Sequence, residues 1–188
     1  TQELKNRYES LENKYDKFLA ENYDYKANTY ETNKINLLSN PTSLYTKQPT
    51  VYYGLMYLAK NAKKEVKIHT PYIICNDYMY NELKNIKVPT TIMTNSAENN
   101  GNIFGAVDYL NHKKDIINTG VTIKEYEGGI SYHGKSMTID DDIAIVGSFN
   151  MDMRSAYIDT ELMLVIGFLG LFFLGVIYVA KSIMSRIP

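Results

Sequence analysis

The sequence predicts an α/β protein, with one layered sheet flanked by helices and an apolar segment at the carboxy terminus. Three observations carry this. From Thr50 onward helical and extended patterns alternate, which is how a layered sheet with crossing helices is written. The chain has 188 residues and is 45% hydrophobic, enough for one ordinary domain with an appendage and short for two. Its last 27 residues include a long run without charge.

Taken in order, Leu4, Tyr8, Leu11, Tyr15 and Phe18 recur at steps of four and three and form one apolar stripe on a charged helix. Two heptads are too few for a coiled coil, so the helix is expected to pack on the domain or on a neighbour. Residues 22–50 are rich in Asn, Thr and Tyr, are broken by Pro41 and Pro49, and read as a linker. The expected organisation is therefore helix and linker over 1–49, a domain over 50–166 and an apolar tail over 167–188. Within the domain the pattern gives helices at 50–63, 76–86, 103–118 and 150–157. Strands are expected at 66–69, 90–93, 121–126, 130–139, 143–146 and 162–166, the fourth and fifth joined by the acidic turn Asp140, Asp141, Asp142.

Net charge is −1 and the pI about 6.3, so nothing in the bulk charge favours a polyanionic partner, and nucleic acid is not the expected substrate. Cys75 is the single cysteine, which excludes an intrachain disulfide and any multi-cysteine metal site; a buried apolar thiol is expected.

The chemistry concentrates between 133 and 161. In an extended chain residues two apart share a face, so His133 and Lys135 would bring an imidazole and an ammonium together, with Gly134 leaving room between them. A neutral imidazole attacks phosphorus, and an ammonium stabilises the non-bridging oxygens of a phosphodiester; neither task requires a metal or other cofactor. Gly147-Ser148-Phe149-Asn150 places two small hydrogen-bonding side chains at a strand end before a helix, a cradle for the same phosphate. Glu161, just before an apolar strand, is a carboxylate suited to holding a histidine tautomer.

His133, Lys135 and Asp140 followed by Gly147, Ser148 and Asn150 reproduce H-x-K-x4-D and G-S-x-N without a gap, and the chain resembles the phospholipase D superfamily on that ground. Thr70-Pro71-Tyr72 resembles the segment before the second motif of bacterial cardiolipin synthases, and Asn150 to Ser155 resembles the N-x-D-x-R-S continuation. The likeness covers roughly 33–166 and implies a phospholipase D-type half-domain. It implies that His133 is the nucleophile or its acid/base partner, that Lys135 binds phosphate and that Ser148 and Asn150 complete the site. Glu161 would orient His133, and Asp140 would mainly fix the hairpin.

The family's mechanism uses two facing motifs, one histidine attacking phosphorus while the other protonates the leaving oxygen. Neither remaining histidine completes a second motif: His112-Lys113-Lys114 lies in a helical pattern with Thr119 at the aspartate position, and His69 lacks its lysine. The second half-site is expected from an identical chain or from a missing amino-terminal half. Likeness to the second half of two-motif proteins, and Thr1 in place of Met, favour the latter.

Residues 162–180 carry no charge and are long enough for a hydrocarbon core of about 30 Å, but 162–166 belong to a core strand, leaving 14 residues, which is short for a span. Membrane association is expected, at a bacterial cell membrane by the resemblance, with the side left open. The resemblance implies phosphodiester hydrolysis or phosphatidyl transfer on phospholipid. A superfamily nuclease and an inactive assembly half-domain stand as alternatives.

Overall fold

A computed structural model describes residues 1–19, 24, 26, 27, 29, 31, 32 and 34–167. The predicted apolar tail beyond Gly167 lies outside the described residues, and among those described no helix is long and apolar enough to cross a membrane. The chain divides into two compact units, the second beginning at Thr32.

The first unit holds helix α1, Gln2–Leu19, where the periodicity predicts a helix. Leu4, Tyr8 and Leu11 of its apolar stripe are exposed, and Glu3 pairs with Arg7 one turn on at 3.3 Å.

In the second unit the elements run β1 (Lys34–Ser39), α2 (Thr50–Lys60), β2 (Val66–His69), β3 (Ile73–Ile74), α3 (Asp77–Lys84), β4 (Thr90–Asn95) and α4 (Ile103–Asn118). They continue with β5 (Thr122–Tyr126), β6 (Ser136–Ile139), β7 (Ile143–Gly147), β8 (Met151–Asp152), α5 (Met153–Tyr157) and β9 (Leu162–Gly167). Local chemistry explains several boundaries. Asn76 and Asn102 accept backbone N–H groups at the starts of α3 and α4, and Asp152 does so at α5. Gly120, at φ 93°, takes the left-handed position that ends α4.

Seven strands form one mixed sheet in the order β1-β9-β7-β6-β2-β4-β5. β2, β4 and β5 run parallel, whereas every neighbouring pair from β2 through β6, β7 and β9 to β1 is antiparallel. β3 and β8 pair separately in parallel. Tyr52, Leu55 and Met56 of α2, Met79 and Leu83 of α3, and Ile92 and Ile145 of the sheet belong to the fully buried core. The Tyr52 hydroxyl is satisfied there by donating to the Met79 carbonyl at 2.8 Å. Cys75 is the buried thiol expected, and burial pushes its pKa up.

Three expectations change. Lys34–Ser39 is a strand where the composition predicts linker, because it pairs along β9 across Lys34↔Gly167 to Ser39↔Leu162. The strand expected over 130–139 begins only at Ser136, so His133 and Lys135 stand on the preceding loop. The cause lies in β2: His69↔Ser136 is the last pair, and Pro71 has no N–H with which to extend the ladder. The helix expected from 150 starts at Met153, after β8.

Candidate active site

The loop between β5 and β6 carries His133, and the residue before it is anchored. Asn95, buried at the end of β4, donates from Nδ2 to the carbonyls of Pro71 (2.9 Å) and Tyr132 (3.0 Å) and accepts from the Tyr132 N–H (3.1 Å). The Tyr132 hydroxyl shares its proton between the carbonyls of Met93 (2.6 Å) and Thr70 (3.0 Å). These bonds tie the histidine loop to the ends of β2 and β4. The Tyr72 ring lies beside His133, with centroids 6.4 Å apart.

His133 is exposed, and Lys135 folds back onto it. The lysine Nζ is 2.7 Å from Nδ1, 3.3 Å from Nε2 and 3.0 Å from the His133 carbonyl oxygen. Burial first and the Lys135 charge second lower the His133 pKa, so the imidazole is neutral at pH 7. Lys135 is itself lowered, because burial outweighs the opposing fields of Glu161 and Asp152. The outcome is an imidazole in direct contact with an ammonium on a loop open to solvent.

Ser148 and Asn150, the residues expected to cradle phosphate, belong to one hydrogen-bond network. Ser148 Oγ donates to Glu161 Oε2 and accepts from the Leu162 N–H at 3.0 Å. Ser155 Oγ donates to Glu161 Oε1 at 2.7 Å and accepts from Asn150 through its backbone N–H (3.2 Å) and its Nδ2 (3.3 Å). The Asn150 Oδ1 is buried without a partner.

Glu161 therefore does not hold His133 as the sequence suggests. Both its oxygens are taken by the serines, it makes no hydrogen bond to the imidazole, and it reaches the reacting pair through its field on Lys135. Asp140 also stands apart. It ends β6 at φ 55°, and its carboxylate accepts from the backbone N–H groups of Lys63, Lys64 and Glu65 at 2.7–3.1 Å, clamping the turn between α2 and β2. Its placement is that of a structural clamp, five residues down the chain from Lys135. Gly147 is a matter of space: a Cβ there would collide with the Leu162 carbonyl oxygen, so glycine is what lets β7 lie against β9.

Asn95 and Tyr132 are not singled out by the sequence, and Asp152 and Ser155 enter there only as positions of the N-x-D-x-R-S likeness. Asp152, buried at the start of α5, accepts from the Ser155 N–H at 2.6 Å, and burial raises its pKa. An aspartate before a helical stretch is a capping signal that identifies it, whereas Asn95 and Tyr132 depend on partners far away in sequence. His112 and Lys113 lie on α4, bound to the Asp108 carbonyl (3.0 Å) and to Glu125 (2.7 Å), as the helical pattern predicts. Among the described residues no cluster of three or more His, Cys, Asp or Glu is placed to hold a metal.

The second unit is thus a mixed α/β sheet that carries a histidine–lysine pair on the loop before β6 and a serine–asparagine pair in the stretch between β7 and β8. Comparison with known proteins makes the family specific: residues 55–167 match the family model described as "Cardiolipin synthase, PLD-like domain", and the chain belongs to the phospholipase D superfamily as a single half-domain. Cardiolipin synthase 1 of Staphylococcus epidermidis is 31% identical over 114 residues, which are 59% of this chain and 23% of that protein; the chain thus spans under a quarter of that relative. Among solved structures, the phospholipase D family member Nuc from Salmonella typhimurium superposes with a TM-score of 0.57 at 17% identity, covering 81% of this chain and 90% of Nuc. The phosphatidylserine synthase of Haemophilus influenzae superposes with a TM-score of 0.62 at 16% identity, covering 81% of this chain and 39% of that one. These two likenesses establish the fold.

Proposed function

We propose that this chain supplies one catalytic half-site of an enzyme that hydrolyses phospholipid phosphodiesters or transfers phosphatidyl groups, through a phosphohistidine on His133. The observation that carries the reading is the His133 imidazole 2.7 Å from the Lys135 ammonium on a loop open to solvent. In the first step a ring nitrogen bonds to phosphorus and the bond to the leaving oxygen breaks, that oxygen taking a proton from a second histidine. In the second step water or an alcohol attacks the phosphohistidine, its proton returns to the second histidine, and His133 leaves. Lys135 holds the non-bridging oxygens throughout. The second histidine comes from another half-site, in a second copy of the chain or in an amino-terminal half.

Sequence likeness to cardiolipin synthase supports phospholipid as the substrate class. Glu98 and Glu127, which line a hollow of about 310 Å³ beside Asn99 and Gly129 on the approach to the histidine loop, disfavour a polyanion there. Membrane association through the apolar run that follows β9 belongs to the same reading.

The test is incubation of the full chain with phosphatidylglycerol labelled in its phosphate, followed by denaturing quench. The expected result is label on the chain and consumption of lipid, both absent in His133→Ala. Cleavage of DNA with lipid left intact overturns the substrate assignment, and turnover untouched by His133→Ala overturns the mechanism.

A further inference from the structure

Residues 40–47 stand before the part of the chain that the family model matches, yet they grip the segment that carries Ser155 and Glu161. Asn40 is 2% exposed, and its backbone N–H and both polar atoms of its side chain are used. Its backbone N–H donates to the Glu161 carbonyl at 3.0 Å, and its Nδ2 donates to the carbonyls of Ser155 (2.7 Å) and Asp159 (3.1 Å). Its Oδ1 accepts the Val51 N–H at 3.0 Å, which serves the first turn of α2, since Pro49 at the helix start makes no side-chain cap. Seven residues on, Lys47 is 7% exposed; its backbone N–H donates to the Tyr157 carbonyl at 2.6 Å and its Nζ to the Thr160 hydroxyl at 2.5 Å.

Five hydrogen bonds thus run from the 40–47 strap to the stretch 155–161, and all five are buried or half-buried. In that stretch α5 has only five residues and the return from Tyr157 to Leu162 is irregular, tied elsewhere by the Arg154–Asp159 pair, the Asp152 cap on Ser155, the Ser148–Glu161 bond and an Asn76 bond to the Tyr157 hydroxyl. The same stretch supplies Ser155 and Glu161, the two groups that set the positions of Asn150 and Ser148 in the cradle.

We infer that Asn40 is a positioning residue of the phosphate site, holding Ser155 and Glu161 in register through the 40–47 strap, with Lys47 as its second fastening. This rests on the proposed phosphodiester chemistry for its meaning, though its test does not need turnover. Asn40 touches no reacting atom; it acts through Glu161, whose carboxylate with that of Asp152 exerts its field on the Lys135 ammonium that contacts His133. Loss of the strap lets Glu161 withdraw, and Lys135 then gives up its proton more readily.

The experiment compares the full-length wild type with Asn40→Ala, Lys47→Met, Glu161→Gln and the Asn40→Ala/Glu161→Gln pair. Three readouts are taken below each melting temperature: titration of Lys135 Nζ by NMR, binding of inorganic phosphate, and kcat and KM on a chromogenic phosphodiester. Asn40→Ala is expected to move the Lys135 titration to lower pH, weaken phosphate and cut kcat by about tenfold to a hundredfold, as misplacement on the ångström scale does. Lys47→Met is expected to follow in the same direction with a smaller effect, which keeps the test open if Asn40→Ala does not fold. In the Glu161→Gln background Asn40→Ala is expected to add no further shift, since both act through one group. An unmoved Lys135 titration with wild-type phosphate binding in both strap variants overturns the inference, as does full additivity in the pair. A wild type that binds phosphate but cleaves no phosphodiester even with the second half-site supplied refutes the proposed function instead and leaves the strap to be judged by the titration.

Discussion

Replacing Asp140 separates a structural aspartate from a catalytic one, although it stands in the same motif as His133 and Lys135. Its carboxylate accepts three backbone N–H groups, from Lys63 (2.9 and 3.1 Å to its two oxygens), Lys64 (2.7 Å) and Glu65 (3.1 Å). Each such charge-assisted bond is worth about 1.5–3 kcal/mol when fully sheltered. The turn is largely in water, so the N–H groups rehydrate when the carboxylate is removed, and the sum falls to about 2–4 kcal/mol for Asp140→Ala. For a unit of this size that lowers Tm by about 5–15 °C. Because Asp140 sits at φ 55°, Asp140→Gly should recover about 1 kcal/mol of the loss despite having no side chain.

Burial alone would push this carboxyl up, but the three N–H donors outweigh it and hold its pKa below the ordinary 3.8. A group depressed on folding stabilises above its unfolded pKa and loses that contribution as pH falls through its folded value. The gap in Tm between wild type and Asp140→Asn should therefore be full at pH 6 and shrink below about pH 4. Five residues of extended chain, about 16 Å, separate Asp140 from Lys135, so turnover per folded molecule should stay within a few-fold of wild type. Thermal melts from pH 3 to 7, with turnover measured well below Tm, check this. An Asp140→Ala protein with wild-type Tm and no turnover refutes the structural assignment.

Lys135→Met removes the cation that helps lower the His133 pKa, so the acid limb of kcat/KM should move to higher pH while turnover falls by about a hundredfold or more; a pH–rate profile reads both. Asn95→Ala leaves the Pro71 and Tyr132 carbonyls and the Tyr132 N–H without partners. It should cost about 2–4 kcal/mol in denaturant melts and depress kcat more than KM, because the histidine loop loses its anchor. Gly147→Ala drives a methyl group into the Leu162 carbonyl and should destabilise by about 3 kcal/mol or more in the same assay, with loss of the Ser148 N–H bond to that carbonyl.

Elements with local signals were readable in the sequence. α4 runs over 103–118 as its period predicts, between the Asn102 cap and Gly120, and β2 alternates buried and half-buried residues over Val66–His69. β1 was not readable, because Lys34–Ser39 is an edge strand with almost no inward side and is stabilised by β9, far away in the chain. The histidine loop has the alternation of a strand, but its course is decided by Pro71 and Asn95, outside the segment itself. In the site, the Ser148–Asn150 neighbourhood follows from spacing, whereas the His133–Lys135 contact is made by the lysine folding back in a loop and not by the shared face of a strand. The attachment of Glu161 to two serines instead of the imidazole does not follow from spacing either, since Ser155 becomes its partner only once the chain returns from α5 to β9.

The most direct measurement of the central claim is identification of the residue that carries phosphate after rapid quench of the full chain with labelled phosphatidylglycerol. The account predicts an acid-labile, base-stable phosphoramidate on His133, absent in His133→Ala and strongly reduced in Lys135→Met. Label on any other residue, or label on His133 that persists undiminished without Lys135, contradicts it.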